Sequence, residues 1–302
     1  MTRKRQYQSY GFIGLGNMGA PMAANLSRWL DAKRNQPLVV FDAADIVDRT
    51  PDTAFPAATA SEVARRADIV FLSLPDGAAV TSVTGAIAQA EKRRVSVIID
   101  LSTIGINAAQ DVHRRLTDHG IAFVDCPVSG GQIGARNAAI TLMWAGSVDI
   151  LATHRPALAA FAKNIFHVGN RPGQGQALKL LNNFLSATIT GATGEALLFG
   201  LTHGLDLKIM LDVINVSTGG SNASKEKFVR RVLPETFDSG FDTALMAKDV
   251  SLFMESLHSA SSADVYAGVT NALWQAFLAA APESDHMEIY KYIRGLGGKG
   301  NS

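Results

Sequence analysis

Residues 11–19 read GFIGLGNMG, and this stretch decides the fold. It follows a short apolar run and opens Met18–Leu30, whose apolar residues have helical spacing. Gly14, Gly16 and Gly19 have the spacing of a dinucleotide-binding turn between a strand and a helix. In such a turn the first glycine permits the tight bend, the second admits a pyrophosphate and the third lets the helix pack on the strand. The free N–H groups at the start of the helix would bind the phosphates.

An acidic residue after the next predicted strand supports this interpretation. The strand Pro37–Phe41 is followed directly by Asp42. A Rossmann domain places at this position the carboxylate that binds the ribose hydroxyls. A carboxylate there repels a 2′-phosphate, so the sequence predicts NAD in preference to NADP. Arg49 follows closely enough to keep NADP use open. The alternative is that Asp42 only caps a turn.

Strand and helix patterns alternate up to about residue 170, which predicts βαβ units and a parallel sheet covered on both faces. After that point only helical patterns remain, beginning with a long helix at Ala177–His203. The turn formers Gly169–Gly173 separate the two regions. We therefore predict an α/β N-terminal Rossmann domain at residues 1–171 and an all-α domain, built on a long helix, at residues 172–302. The other predicted strands are Tyr10–Gly14, Asp68–Leu72, Val95–Asp100, Ile121–Cys126 and Ile140–Ala145.

The composition narrows the classes of function. Of 302 residues, 47% are hydrophobic and 18% charged, and the net charge is +1, so no basic excess favours nucleic-acid binding. The single cysteine, Cys126, excludes an internal disulfide framework and a cysteine-rich zinc site, and the seven histidines show no ligand spacing. We expect no metal. The N-terminal MTRKRQYQSY lacks the apolar core of a secretory signal, and polar residues interrupt the apolar stretch Ala177–Leu201. We expect a cytoplasmic protein without a membrane span.

The segment DCPVSGG at residues 125–131 follows a predicted strand, and ligands of open α/β sheets lie beyond the carboxyl ends of the strands. Its Ser-Gly-Gly turn presents a hydroxyl and adjacent N–H groups, which suit a carboxylate. An ordinary surface loop is the alternative, because serine and glycine are common turn residues.

Lys179 and Asn183 lie four residues apart in the apolar helix pattern and therefore project from one face. A lysine and an amide on a buried face are costly unless they are paired or used, and a lysine that loses water can exchange protons near neutrality. A lysine with a solvated head group is the alternative. Further along, Lys248 is placed to reach a cofactor, while Asp249 either caps the helix or pairs with Lys248.

Four motifs in order, GFIGLGNMGAPMAANL, DCPVSGG, GQGQALKLLNN and MAKDV, resemble those of the β-hydroxyacid dehydrogenases. The resemblance runs from Gly11 to about Tyr292. It implies a Rossmann domain followed by an all-helical domain, assembly as homodimers or homotetramers, and hydride transfer between NAD and a small 3-hydroxy carboxylate such as 3-hydroxyisobutyrate or glycerate.

The resemblance also assigns roles to individual residues. Lys179 matches the catalytic lysine, a general acid and base, and Asn183 the amide that orients the substrate. The turn of Ser129, Gly130 and Gly131 would hold the substrate carboxylate. The residues that would contact the cofactor are Gly14, Leu15, Gly16, Asn17, Met18, Gly19, Asp42, Leu74, Pro75, Ala79, Thr103 and Lys248.

Two departures from the family pattern matter. Ala138 and Ala139 replace a Gly-Thr pair, so we expect that turn to differ locally. Residues 217–222 are polar where family members vary, which favours a polar substrate. Two alternatives stay open: a related reductase of another small aldehyde acid, sulfonated or phosphorylated, and a non-catalytic dinucleotide-binding module. Lys179 argues against the imine-reducing relatives, which generally lack that lysine.

Overall fold

The computed structural model describes residues 8–44 and 47–297. Residues 1–7, on which the expectation about a secretory signal partly rests, lie outside the described residues. The strands are β1 Tyr10–Ile13, β2 Val39–Phe41, β3 Phe55–Pro56, β4 Ile69–Leu72, β5 Val97–Asp100, β6 Ala122–Asp125, β7 Val128–Ser129, β8 Ile140–Ala145 and β9 Ala162–Gly169. The α-helices are α1 Gly19–Arg34, α2 Ala60–Arg66, α3 Gly77–Gln89, α4 Ile106–Thr117, α5 Gly131–Arg136, α6 Val148–Leu158, α7 Gln174–Thr202, α8 Leu207–Val216, α9 Thr243–Ser259, α10 Val265–Ala280 and α11 Ile289–Gly297. A π-helix spans Ala223–Val232, and 3-10 turns occur at Val47–Arg49 and His286–Glu288.

The nine strands form one sheet in the order β3-β2-β1-β4-β5-β6-β8-β7, with β9 beside β8. All pairs from β3 to β6 are parallel, which confirms the predicted α/β fold class. Beyond β6 the sheet is mixed, because β8 runs antiparallel to both β6 and β7. The connection from β6 to β8 differs from a parallel crossover, because it contains β7, which pairs with β8, and its helix α5 has only six residues.

Both faces of the sheet are buried, and alternate residues along each strand belong to different cores. On β4, Ile69 and Phe71 join the core on one face, while Val70 and Leu72 join the core on the other. Gly11 on β1 is a point of close packing, because a Cβ there would lie 2.5 Å from Val63 Cγ1 on α2. The helices therefore cover both faces, as the continuous apolar strands predict.

The predicted strands are all present, and β8 has the predicted bounds. The sequence patterns miss β3, β7, β9, α2, α5, α6, α11 and the π-helix. β9 carries exposed Lys163 and Asn164 near its start and pairs only with β8, so it lacks the apolar run of a central strand.

The chain forms two compact units, Met1–Lys179 and Leu180–Ser302, and α7 continues through the division. The second unit is helical and contains two apolar cores, one around Phe228 and Tyr290 and one around Trp274 and Phe277. The domain boundary at 171–172 stays a prediction, because the division between the two units falls inside α7 and the helix continues through it.

Among the residues that the structure describes, one helix, α7, is long and apolar enough to cross a membrane by length and composition alone. Core helices of soluble proteins meet the same criterion, and about a third of its most apolar window is buried within the protein. The expected absence of a membrane span therefore stays a prediction.

The turn where the Gly-Thr pair is replaced ends α5. Ala138 takes a left-handed conformation, with φ +53°. Its N–H donates to Ala135 O, and Ala139 N–H donates to Gly134 O at 2.8 Å. These two bonds form a Schellman helix end, whose left-handed position normally carries glycine.

We expect Ala138→Gly to raise the free energy of unfolding by up to about 1 kcal/mol, because it removes about 1–2 kcal/mol of left-handed strain and adds a smaller entropic cost. Urea unfolding measures the change. Ala139→Gly is the matched control, since Ala139 does not have a positive φ and gains no relief. An unchanged or lower midpoint for Ala138→Gly would show that the turn is not strained.

Candidate active site

The glycine-rich turn after β1 combines two positions that exclude a side chain with one that is open. Gly14 has φ +96°, and a Cβ there would overlap the carbonyl oxygen of Ser73. A Cβ on Gly19 would overlap the carbonyl oxygen of Gly14. By contrast, apart from its two chain neighbours, no atom of the described residues lies within 4 Å of the position of a Cβ on Gly16. The turn thus has free space at the glycine that the motif assigns to the pyrophosphate.

The residues between these glycines contribute through the backbone. Leu15 is fully buried in the core and Met18 packs against the same core, while Asn17 is exposed. No side chain caps the start of α1, although Ala20 N–H donates to Gly16 O at 3.0 Å and Pro21 has no N–H. An uncapped helix N-terminus beside an open glycine fits a diphosphate.

Asp42 lies beside this turn, as predicted. Ile13 pairs with Phe41 across β1 and β2, so the residues that follow both strands are neighbours. Asp42 Oδ2 accepts a hydrogen bond from Leu15 N–H at 2.5 Å, and Oδ1 accepts one from Ala44 N–H at 2.9 Å. The carboxylate is therefore fixed at the carboxyl end of β2, next to the open glycine.

The remaining predicted cofactor residues of the first unit follow the adjacent strands. Leu74 and Pro75 come after β4, Thr103 comes after β5, and the two loops are joined by a hydrogen bond from Leu74 N–H to Ser102 Oγ at 2.9 Å. Ala79 lies in the first turn of α3. All of these residues thus lie at the sheet edge that carries the glycine turn.

The Ser-Gly-Gly turn lies at the junction of β7 and α5. Ser129 pairs with Thr141 of β8, and Gly130 and Gly131 both have positive φ, +130° and +62°. In the part of the chain that the structure describes, no atom beyond the chain neighbours lies within 4 Å of a Cβ position on Gly131, and both glycines are exposed. The turn is an accessible set of backbone donors next to a hydroxyl, which suits a carboxylate.

A buried polar network that the sequence did not single out holds these loops. Asp125 Oδ2 accepts from Gly173 N–H at 2.9 Å, and Oδ1 accepts from Gln176 Nε2 at 2.7 Å. Gln176 Oε1 accepts from Ile104 N–H at 2.8 Å, beside Thr103. Burial raises the pKa of Asp125, while the hydrogen bonds from Gln176 oppose that rise. Both residues stand within quoted motifs, but only the tertiary structure shows that they are partners.

Lys179 and Asn183 lie on α7, where a separation of four residues places them on one face. Lys179 is partly buried and Asn183 is almost fully buried. Within the second unit, Asn183 Nδ2 donates to Asp249 Oδ2 at 2.5 Å, and Asp249 is itself buried. The amide orientation of Asn183 is therefore fixed by a buried carboxylate.

Of the two roles that the sequence allowed for Asp249, helix cap or partner of Lys248, the first is wrong. α9 begins at Thr243, so Asp249 lies inside the helix and does not cap it. It does pair with its neighbour, since Lys248 Nζ is 3.2 Å from Asp249 Oδ1. The pair is not a solvated surface pair, because Asp249 is buried and also binds Asn183. Asp249 thus joins the predicted cofactor lysine to the predicted substrate amide.

Two family models match the chain almost end to end. Residues 9–169 match the NAD binding domain of 6-phosphogluconate dehydrogenase, and residues 173–293 match the NAD-binding model of NADP-dependent 3-hydroxyisobutyrate dehydrogenase.

Similar proteins of known activity cover the same span. The mitochondrial 3-hydroxyisobutyrate dehydrogenase of Mus musculus is 31% identical over 94% of this chain and 86% of its own length. The 2-(hydroxymethyl)glutarate dehydrogenase of Eubacterium barkeri is 34% identical over 81% of each chain. Among solved structures, Mycobacterium tuberculosis 3-hydroxyisobutyrate dehydrogenase with L-serine superposes with a TM-score of 0.86 at 30% identity, covering 96% of this chain and 100% of that one.

Proposed function

Because the chain belongs to the β-hydroxyacid dehydrogenase family, we propose that it transfers a hydride reversibly between NAD and the hydroxyl-bearing carbon of a small 3-hydroxy carboxylate. Both 3-hydroxyisobutyrate and 2-(hydroxymethyl)glutarate, which two relatives are named for, carry a hydroxymethyl group next to a carboxylate. The observation that carries the proposal is the pair Lys179 and Asn183 on one helix face, with Asn183 fixed by Asp249.

The residues of the chain divide the work as follows. Lys179 Nζ takes the proton of the substrate hydroxyl during oxidation and returns it to the carbonyl oxygen during reduction. Asn183 holds the hydroxyl-bearing end in register, and the turn at Ser129 fixes the carboxylate. When bound, NAD supplies the hydride acceptor, and its reduced form supplies the hydride donor. The turn Gly14–Gly19 would hold its pyrophosphate, and Asp42 its ribose.

The cofactor is NAD, with NADP use left open. We expect Asp42→Ala to narrow the preference for NAD over NADP by about tenfold or more, because it removes a charge-assisted hydrogen bond to the ribose and the repulsion of a 2′-phosphate. Ratios of kcat/KM for the two cofactors measure the effect. Asp48→Ala, at an exposed acid nearby, is the matched control. An unchanged ratio in Asp42→Ala would place the ribose contact elsewhere.

A spectrophotometric panel at 340 nm tests the proposed reaction. It offers NAD and NADP with 3-hydroxyisobutyrate, glycerate, 4-hydroxybutyrate, threonate and sulfonated analogues. We expect NAD reduction with at least one 3-hydroxy acid. Reduction only with a sulfonated or phosphorylated analogue would favour the related reductase, and NADH binding without any turnover would favour a non-catalytic binding module.

We further propose that the protein forms homodimers or homotetramers. Support comes from the second unit, where Val216 on α8 and Val265, Tyr266 and Val269 on α10 are each more than 70% exposed. Apolar side chains exposed to this degree are typical of surfaces that a partner covers. Sedimentation velocity at micromolar concentration tests this proposal, and a monomer would contradict it.

We also propose a cytoplasmic location. The support is the only cysteine, Cys126, which is a buried free thiol suited to a reducing compartment. Fractionation of the producing cells tests this, and recovery outside the cytoplasm would contradict it.

A further inference from the structure

A partly buried lysine of the second unit lies against α7 without a carboxylate partner. Lys227 is carried by the π-helix, and its Nζ donates to Ser186 Oγ at 2.8 Å and to Thr190 Oγ1 at 3.0 Å. Within residues 8–44 and 47–297, no carboxylate oxygen lies within 4.0 Å of this ammonium. A shielded cation of this kind is costly unless it meets an anion. The reaction described above does not use it.

The hydrogen-bond donors around this lysine are not all used. An ammonium group has three N–H donors, and two of them go to the hydroxyls of Ser186 and Thr190. The Thr190 hydroxyl donates in turn to Ser186 O at 2.6 Å. Neither the third N–H of Lys227 nor the Ser186 hydroxyl proton has an acceptor among the described residues. A positive charge with two free donors is the chemistry that binds an oxyanion.

The carboxylate that affects the pKa of Lys227, that of Asp285, already has other hydrogen-bond partners. Asp285 raises the pKa of Lys227, but its own oxygens accept from Ser239 Oγ at 2.8 Å and from Met287 N–H at 2.9 Å. Burial dominates and lowers the pKa of Lys227 to about 8, so the ammonium form prevails at pH 7. His286 is buried beside Asp285, and its pKa is lowered by burial. Lys227 is therefore cationic at neutral pH.

The lysine lies along the same helix face as the predicted substrate amide. Ser186 and Thr190 follow Asn183 by three and seven residues on α7, so all three project to one side. With a rise of about 1.5 Å per residue, their Cα atoms lie about 4.5 and 10.5 Å beyond that of Asn183 along the axis. This is the length of a short carbon chain that starts at the reacting carbon.

Building on the proposed function, we propose that Lys227 and Ser186 form a second anion-binding site, which binds an acidic group at the far end of the substrate. The preferred substrate class is then a 3-hydroxy acid with two acidic groups, such as a hydroxymethyl dicarboxylate. Lys227 determines this specificity and takes no part in hydride or proton transfer.

Steady-state kinetics with two acids test this inference on the full chain with NAD. The dianionic acid is 2-(hydroxymethyl)glutarate, and the monoanionic acid is 3-hydroxyisobutyrate. We expect the wild type to have the higher kcat/KM for the diacid. In Lys227→Met the ratio of the two kcat/KM values falls by about tenfold or more, mainly through KM of the diacid, because a charge-assisted contact is lost. Ser186→Ala lowers the ratio less, since it keeps the charge.

Lys225→Met is the matched control, because Lys225 is exposed on the same π-helix, and it leaves the ratio unchanged. Equal losses for both acids in Lys227→Met would indicate a purely structural role and overturn the inference. So would a wild type that prefers the monoacid.

A binding measurement separates this inference from the proposed function. Thermal melts with NAD present compare glutarate with butyrate as probes that cannot be oxidised. We expect glutarate to raise the Tm of the wild type but not that of Lys227→Met. Stabilisation by glutarate without oxidation of any acid would keep the second anion site and reject the proposed reaction. Equal stabilisation of both proteins would reject the site.

Discussion

Lys179→Ala is expected to lower kcat by about 10²–10⁴-fold, because removing a positioned general acid and base has effects of this size. NADH affinity should stay close to that of the wild type, since the glycine turn and Asp42 lie on other elements. Steady-state kinetics and NADH fluorescence titration give the two values. The combination matters, because loss of turnover with intact cofactor binding assigns Lys179 to the chemistry and not to the fold.

A substitution of a lysine outside the site controls for the loss of one positive charge. Lys163→Ala removes an exposed lysine of β9 and is expected to leave both values unchanged. If Lys179→Ala kept turnover within a few-fold of the wild type, another group would carry the proton and the assigned mechanism would be wrong.

Two alanine substitutions in the glycine turn are expected to impair different properties, the stability of the fold in one case and NADH binding in the other. Gly19→Ala places a Cβ on the Gly14 carbonyl oxygen, so α1 and β1 must separate and the free energy of unfolding should fall by about 3 kcal/mol or more. The added methyl group of Gly16→Ala meets no atom of residues 8–44 and 47–297 within 4 Å beyond its chain neighbours, so the fold should keep its stability. Its methyl group would instead occupy the space assigned to the pyrophosphate, and NADH affinity should fall about tenfold or more.

Urea unfolding and NADH titration of both variants separate the two effects. If Gly16→Ala bound NADH with the affinity of the wild type, the assignment of the pyrophosphate site to this turn would be wrong. A stable Gly19→Ala variant would show that the strand and helix can separate at little cost.

The sequence predicts the features that depend on local backbone chemistry. The roles of Gly14 and Gly19 follow from the space that a Cβ needs in a tight strand-to-helix turn. Asp42 is predictable because it ends the neighbouring parallel strand. Lys179 and Asn183 share a face because a helix repeats every 3.6 residues.

The features that the sequence leaves undetermined depend on distant partners. Nothing near Asp249 in the sequence shows that it binds Asn183, and Gln176 meets Asp125 only after the sheet has formed. Lys227 resembles any lysine on a polar helix until Ser186 and Thr190 are placed beside it. The reversal at β8 is hidden for a related reason, because the direction of a strand depends on the path of the connection and not on the residues of the strand.

The most direct test of the proposed reaction follows the hydride itself. The enzyme is incubated with NAD and 3-hydroxyisobutyrate that carries two deuterium atoms on the hydroxyl-bearing carbon, and the mass of the NADH formed is measured. We expect NADH heavier by one deuterium, because the hydride passes directly from that carbon to the nicotinamide. NADH formed without deuterium, or unchanged NAD with every 3-hydroxy acid of the panel, would contradict the proposed function.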